Sequence, residues 1–105
     1  MTRNQRSREA RTLVIERSSG RCENPECGNP DFEEHTPAGD PILEVDHIHD
    51  LALDGPDHPA NMIALCPNCH AIKTRGAHGE QMREVFRAAA RAHHAAAMAN
   101  KHHTP

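Results

Sequence analysis

A small α+β domain, closed by four cysteines and flanked by a helix at each end, is the fold this sequence predicts. Three observations carry that expectation. Two short apolar runs, "ILEVDHI" and "MIALC", have the length and composition of strands. The segments on either side place apolar residues at helical spacing, and two pairs of Cys lie far apart in the chain. At 105 residues the chain fits one domain, residues 1–105, with a core over about residues 20–76. Bulky apolar material is sparse: two Phe, no Trp, no Tyr, and a hydrophobic fraction of 36% that leans on Ala. Such a domain needs a staple.

The elements follow in order. From about Asn4 to Ser18 a helix is predicted, with Ala10, Leu13, Val14 and Arg17 on one face and Gly20 as its left-handed stop. "RCENPECGNPDFEEHTPAGDP" is a loop, rich in Pro, Gly, Asn and Asp, that carries the first two Cys. "ILEVDHI" is the first strand, "HDLALDGPDHPAN" an irregular excursion, and "MIALC" the second strand. "PNCHAIKTRG" opens on Pro and ends on Gly, the punctuation of a short helix. A long helix is expected from Glu80 to about Lys101, anchored by Met82, Val85, Phe86 and Ala89. Beyond Ala92 it has no bulky anchor. That tail is expected to fray or to meet a second copy or partner protein, and His93, His94, His102 and His103 to sit on its surface.

No apolar segment near the N-terminus exceeds Leu13-Val14-Ile15, so neither a signal peptide nor a membrane anchor is expected there. The reading is a cytoplasmic protein, and the initial Met fits a complete chain. In a reducing compartment, paired Cys read as metal ligands rather than as disulfides. Cys22 and Cys27 form C-x4-C; Cys66 and Cys69 form C-x2-C. Two thiolate knuckles suit tetrahedral Zn²⁺, which would supply folding free energy the thin core lacks. The competing readings are a disulfide pair or unrelated buried thiols. Four sulfurs leave no open coordination position, so this zinc would be structural.

Asp46-His47 at the end of a strand, Asn61 before the second apolar run, and His70 just after C-x2-C form the pattern "EVDHI…N…LCPNCHAIK". It resembles the HNH endonuclease family, in the zinc-stapled branch found among restriction nucleases and phage proteins. The resemblance covers about Cys22 to Arg75. It implies the ββα-metal (His-Me finger) fold, two antiparallel strands packed on a helix that completes a divalent-metal site, and an enzyme that hydrolyses DNA phosphodiesters. By the same resemblance His47 is the general base. Asn61 either orients His47 or joins the metal shell, and orientation is the favoured role. The chemistry needs such groups: an imidazole takes a proton from water, and a carboxylate with an imidazole holds a cation that neutralises developing charge. Asp46 and His70 are those ligands, for Mg²⁺, Mn²⁺ or Ni²⁺. Neighbours in a strand point to opposite faces, so Asp46 and His47 are expected where the strand ends.

His49 is a second ligand or phosphate contact, or an exposed loop residue. Glu44 and Asp50 read as solvated, and His35 and His58 as loop residues outside the site. A net charge of −3 announces no nucleic-acid partner, yet cations cluster. Lys73 and Arg75 either hold DNA phosphates or complement the helix C-terminus, and Arg83, Arg87 and Arg91 either touch phosphate or lie on a solvated face. The alternative to a nuclease is a non-catalytic zinc module that binds nucleic acid or protein on the same scaffold. An RNA-cleaving enzyme shares the site and stays open.

Overall fold

The computed structural model describes residues 3–48 and 57–102. Helix α1 (Arg3–Ser18) is followed by a loop, strand β1 (Glu44–His47), a short 3-10 turn (Pro59–Asn61), strand β2 (Met62–Leu65), helix α2 (Pro67–Arg75) and helix α3 (Gly79–His102). This is the expected α+β arrangement, a β1–β2–α2 unit between two outer helices. Among the described residues, no helix is long and apolar enough to cross a membrane.

The two strands run antiparallel, with Glu44 opposite Leu65, Val45 opposite Ala64, Asp46 opposite Ile63 and His47 opposite Met62. All four residues of β2 are buried. Burial on both faces explains why "MIAL" is an unbroken apolar run and not an alternating one. Met62 and Ala64 pack with Ala10 and Val14 of α1, joined by Ile15, Leu43 and Val45. Ile63 and Leu65 pack on the other side with Ile48, Cys66, Cys69, Phe86 and Ala90. Helix α1 therefore covers one face of the sheet, while α2 and α3 cover the other.

Helix ends follow their local chemistry. At the end of α1 both Ser19 (φ 55°) and Gly20 (φ 76°) are left-handed, so the stop is shared between two residues and not made by Gly20 alone. The Gly20 N–H donates to the Ile15 carbonyl (3.3 Å) and to Ser18 Oγ (3.2 Å). Helix α2 opens on Cys66, whose sulfur accepts from the Cys69 N–H (3.5 Å), with Pro67 at its first turn. Its closing residue, Gly76, has φ −79° and donates to the Ile72 carbonyl at 2.7 Å. Glycine is needed there for room: a β-carbon would overlap the Ile72 carbonyl oxygen.

Helix α3 buries Phe86 and Ala90, with Met82, Val85 and Ala89 partly buried around them. The helix runs over the expected span and one residue further at each end. In its second half a polar contact joins it to the first Cys loop: His93 Nδ1 lies 2.7 Å from Glu23 Oε2.

Candidate functional site

The first centre is built by the two Cys knuckles. Cys22 follows the α1 stop, and the next residue, Glu23, pins the knuckle to the sheet by donating its N–H to the Ala64 carbonyl (2.7 Å). Cys66 and Cys69 sit at the start of α2. The four sulfurs lie within 4.8 Å of one another, and all four thiols are free of disulfides. Cys27 and Cys66 are 3.9 Å apart, close to the ~3.8 Å edge of a tetrahedron with Zn–S bonds of ~2.3 Å. The donor set fits a structural zinc. Asn24 Nδ2 donates to Cys69 Sγ (3.4 Å), and the Asn29 N–H to Cys27 Sγ (3.4 Å), so the sulfurs are oriented from outside the cluster. Burial pushes the Cys22 and Cys69 thiols up from the ordinary thiol value. For Cys66 burial acts the same way, but hydrogen bonds from the Cys69 N–H and the other three thiols outweigh it and lower the group. Cys66 is the sulfur readiest to bind as thiolate.

The second centre lies where β1 meets α2. Asp46 Oδ2 is 3.5 Å from His70 Nε2 and 2.8 Å from Lys73 Nζ. Asp46 Oδ1 accepts from the His47 N–H at 2.9 Å. His70 and Lys73 stand one turn apart on α2 and so face the same strand. The Asp46 and His70 side chains are 28% and 32% exposed, so the pair opens to solvent. One carboxylate oxygen and one imidazole nitrogen are donors that a hard or borderline divalent cation accepts, and a cation bound there would displace the Lys73 ammonium from Asp46 Oδ2.

His47 is the last residue of β1. It stands opposite Met62, on the α1 side of the sheet, whereas Asp46 faces α2. Its Nε2 lies 2.8 Å from Asp57 Oδ1 across the excursion. Asn61 ends the 3-10 turn, and its carbonyl accepts from the Ile48 N–H (2.8 Å), which fixes the backbone immediately after His47. Asp46, His70 and Lys73 are thus brought together, while His47 pairs with Asp57 and the Asn61 carbonyl bonds the residue after His47.

Of the other cations, Arg75 is exposed near the end of α2, and Arg83 lines a cavity of about 280 Å³ together with Lys73, Thr74, Gly76, Gly79 and Glu80. Arg87 pairs with Glu84 on the surface of α3 (2.8 Å), and Arg91 is exposed. Glu44 and His35 are exposed, and the His58 ring meets that of His94 edge-on at 5.1 Å. His49, Asp50 and His103 lie outside the described residues.

Two sets of residues escaped the sequence reading. Asp57 was hidden in the irregular excursion. Arg17 and Glu23 form a buried polar junction that the exposed His93 meets from α3: Arg17 donates to both Glu23 oxygens (2.8 and 3.1 Å) and to the carbonyls of Pro59 and Met62 (both 2.6 Å). An Arg on the apolar face of α1 was the only available signal.

Both centres lie within a segment that resembles known proteins. The family model for HNH endonuclease matches residues 22–76. The type IV methyl-directed restriction enzyme EcoKMcrA of Escherichia coli (strain K12) is 45% identical over 58 residues, which is 54% of this chain and 20% of that protein. The structure of the type IV phosphorothioation-dependent restriction endonuclease ScoMcrA superposes with a TM-score of 0.76 at 55% identity, over 81% of this chain and 16% of that one. The chain thus spans a fifth or less of the length of these relatives.

Proposed function

Because this chain belongs to the HNH endonuclease family, with the family model spanning residues 22–76, we propose that it hydrolyses DNA phosphodiester bonds with a divalent cation and a histidine base. The observation that carries the reading is the 3.5 Å approach of Asp46 Oδ2 and His70 Nε2 at a solvent-open edge between β1 and α2. A divalent cation held by these two groups supplies charge neutralisation for the phosphoryl oxygens and the leaving oxygen. His47, at the strand tip, takes the proton from the attacking water. Attack in line with the 3′-oxygen leaves 5′-phosphate and 3′-hydroxyl ends. Asn61 is an orienting residue: its carbonyl holds the Ile48 N–H at 2.8 Å, one residue from the base.

Lys73 and Arg75 hold backbone phosphates beside the scissile one. Lys73 Nζ, bonded to Asp46 at 2.8 Å, stands near enough to the centre to do so. Such contacts position DNA without reading its sequence. DNA as substrate draws support from relatives described as restriction enzymes. The modifications they are named for are not carried over, since the chain matches only a small part of each.

The test is cleavage of supercoiled plasmid with Mg²⁺, Mn²⁺ or Ni²⁺, with zinc measured by elemental analysis. His47→Ala is expected to slow cleavage about 10²–10⁴-fold, the usual contribution of a placed general base, while zinc content is unchanged. Equal cleavage by both proteins sinks the reading.

A further inference from the structure

We infer that Asp57 is the positioning residue for His47: it fixes the tautomer of the ring and presents Nδ1 as the nitrogen that accepts the proton. The inference rests on His47 being the base. His47 Nε2 and Asp57 Oδ1 are 2.8 Å apart, and the two side chains are only 13% and 12% exposed. A carboxylate oxygen at that distance accepts, so Nε2 carries the hydrogen and donates. In a neutral ring the lone pair then resides on Nδ1. Rotation of the ring is fixed by the same bond, which crosses the excursion between β1 and the 3-10 turn.

A second observation separates this contact from ordinary scaffolding. Among the described residues, Asp57 Oδ2 is a buried side-chain oxygen with no hydrogen-bond partner. Leaving such an atom unsatisfied costs about 1–3 kcal/mol. Glu23 differs, because both its oxygens are bonded and it ties three elements together. Asp57 makes one described side-chain hydrogen bond, and that bond goes to His47. A buried carboxylate retained for one contact to a ring is spent on placing that ring.

The decisive measurement uses the unmodified chain. A long-range ¹H–¹⁵N correlation spectrum, recorded where the histidines are neutral and assigned with His47→Gln, should report His47 with hydrogen on Nε2. Hydrogen on Nδ1 overturns the inference. Kinetics test its consequence. Asp57→Asn should lower the single-turnover rate of plasmid cleavage about 10–100-fold, as loss of outer partners of site histidines does. The DNA concentration for half-maximal rate and the zinc content should stay unchanged, and Asp57→Glu should recover part of the rate. A wild-type rate in Asp57→Asn, with His47→Ala inactive, overturns the positioning role and leaves the base assignment standing. Wild-type cleavage by His47→Ala overturns the base assignment itself. If Asp57→Asn fails to fold, the spectrum of the unmodified chain still decides.

Discussion

Glu23 is a charged residue that behaves as core. Its Oε1 accepts from the Ala64 N–H (2.9 Å) and Arg17 Nη2 (3.1 Å), and its Oε2 meets Arg17 Nε (2.8 Å) and His93 Nδ1 (2.7 Å). The Arg17 and Glu23 side chains are 2% and 1% exposed. Breaking a buried pair by removing one charge typically costs about 3–5 kcal/mol, because the other is left buried and uncompensated. Glu23→Gln, which keeps the shape, is expected to lose that much stability in a denaturant titration. A loss below about 1 kcal/mol would mean that the junction is a surface pair in disguise. The sequence hid this residue for a physical reason. Glu23 lies in a Pro- and Gly-rich loop without periodicity, and an isolated Glu is expected in water. The approach of Asp46 to His70 was legible, because the motif pairs a carboxylate at a strand end with an imidazole on the following helix. Asp57 was not, since nothing local announces which ring a loop carboxylate will meet.

Elements were more legible than side-chain partners. Spacing alone located α1, both strands and α2 to within a few residues, because each buries a face whose period is fixed by its backbone. The extent of α3 was legible, but the contact of His93 with Glu23 was not, because the Ala-rich half carries no periodic apolar signal and the contact is polar. The α2–α3 junction shows how backbone crowding escapes pattern reading. A β-carbon on Gly79 would overlap the Lys73 carbonyl oxygen, and one on Gly76 would overlap that of Ile72. Overpacking of this sort costs about 1–3 kcal/mol. Gly79→Ala is therefore expected to lower the melting temperature. It should also weaken plasmid cleavage, since Lys73 is bonded to Asp46. An unchanged melting temperature would mean that the turn relaxes freely.

At the scale of the molecule, the four-cysteine centre is built into the core. Cys66 and Cys69 belong to the same buried cluster as Ile63, Leu65 and Phe86. Chelating the metal, or changing Cys66 to Ser, is expected to abolish the cooperative unfolding transition seen by circular dichroism. A Cys66→Ser chain that stays folded and metal-free would defeat the staple argument. Acidity should act in the same direction. The Cys22 and Cys69 thiols stand above the ordinary value because of burial, so without metal they hold their protons at neutral pH. Binding must release those protons, so zinc affinity rises with pH and falls on acidification. A competition titration with a chromogenic chelator at about pH 6 and about pH 8 checks the sign, and equal affinities would contradict it.

The placement of β2 has a consequence for how this protein comes apart. Met62 and Ala64 belong to one apolar cluster, and Ile63 and Leu65 to the other. A single four-residue strand is thus the shared wall of two compartments. The two are therefore expected to melt together, so that damage at the sulfur clamp reaches the N-terminal helix and the chain denatures in one transition.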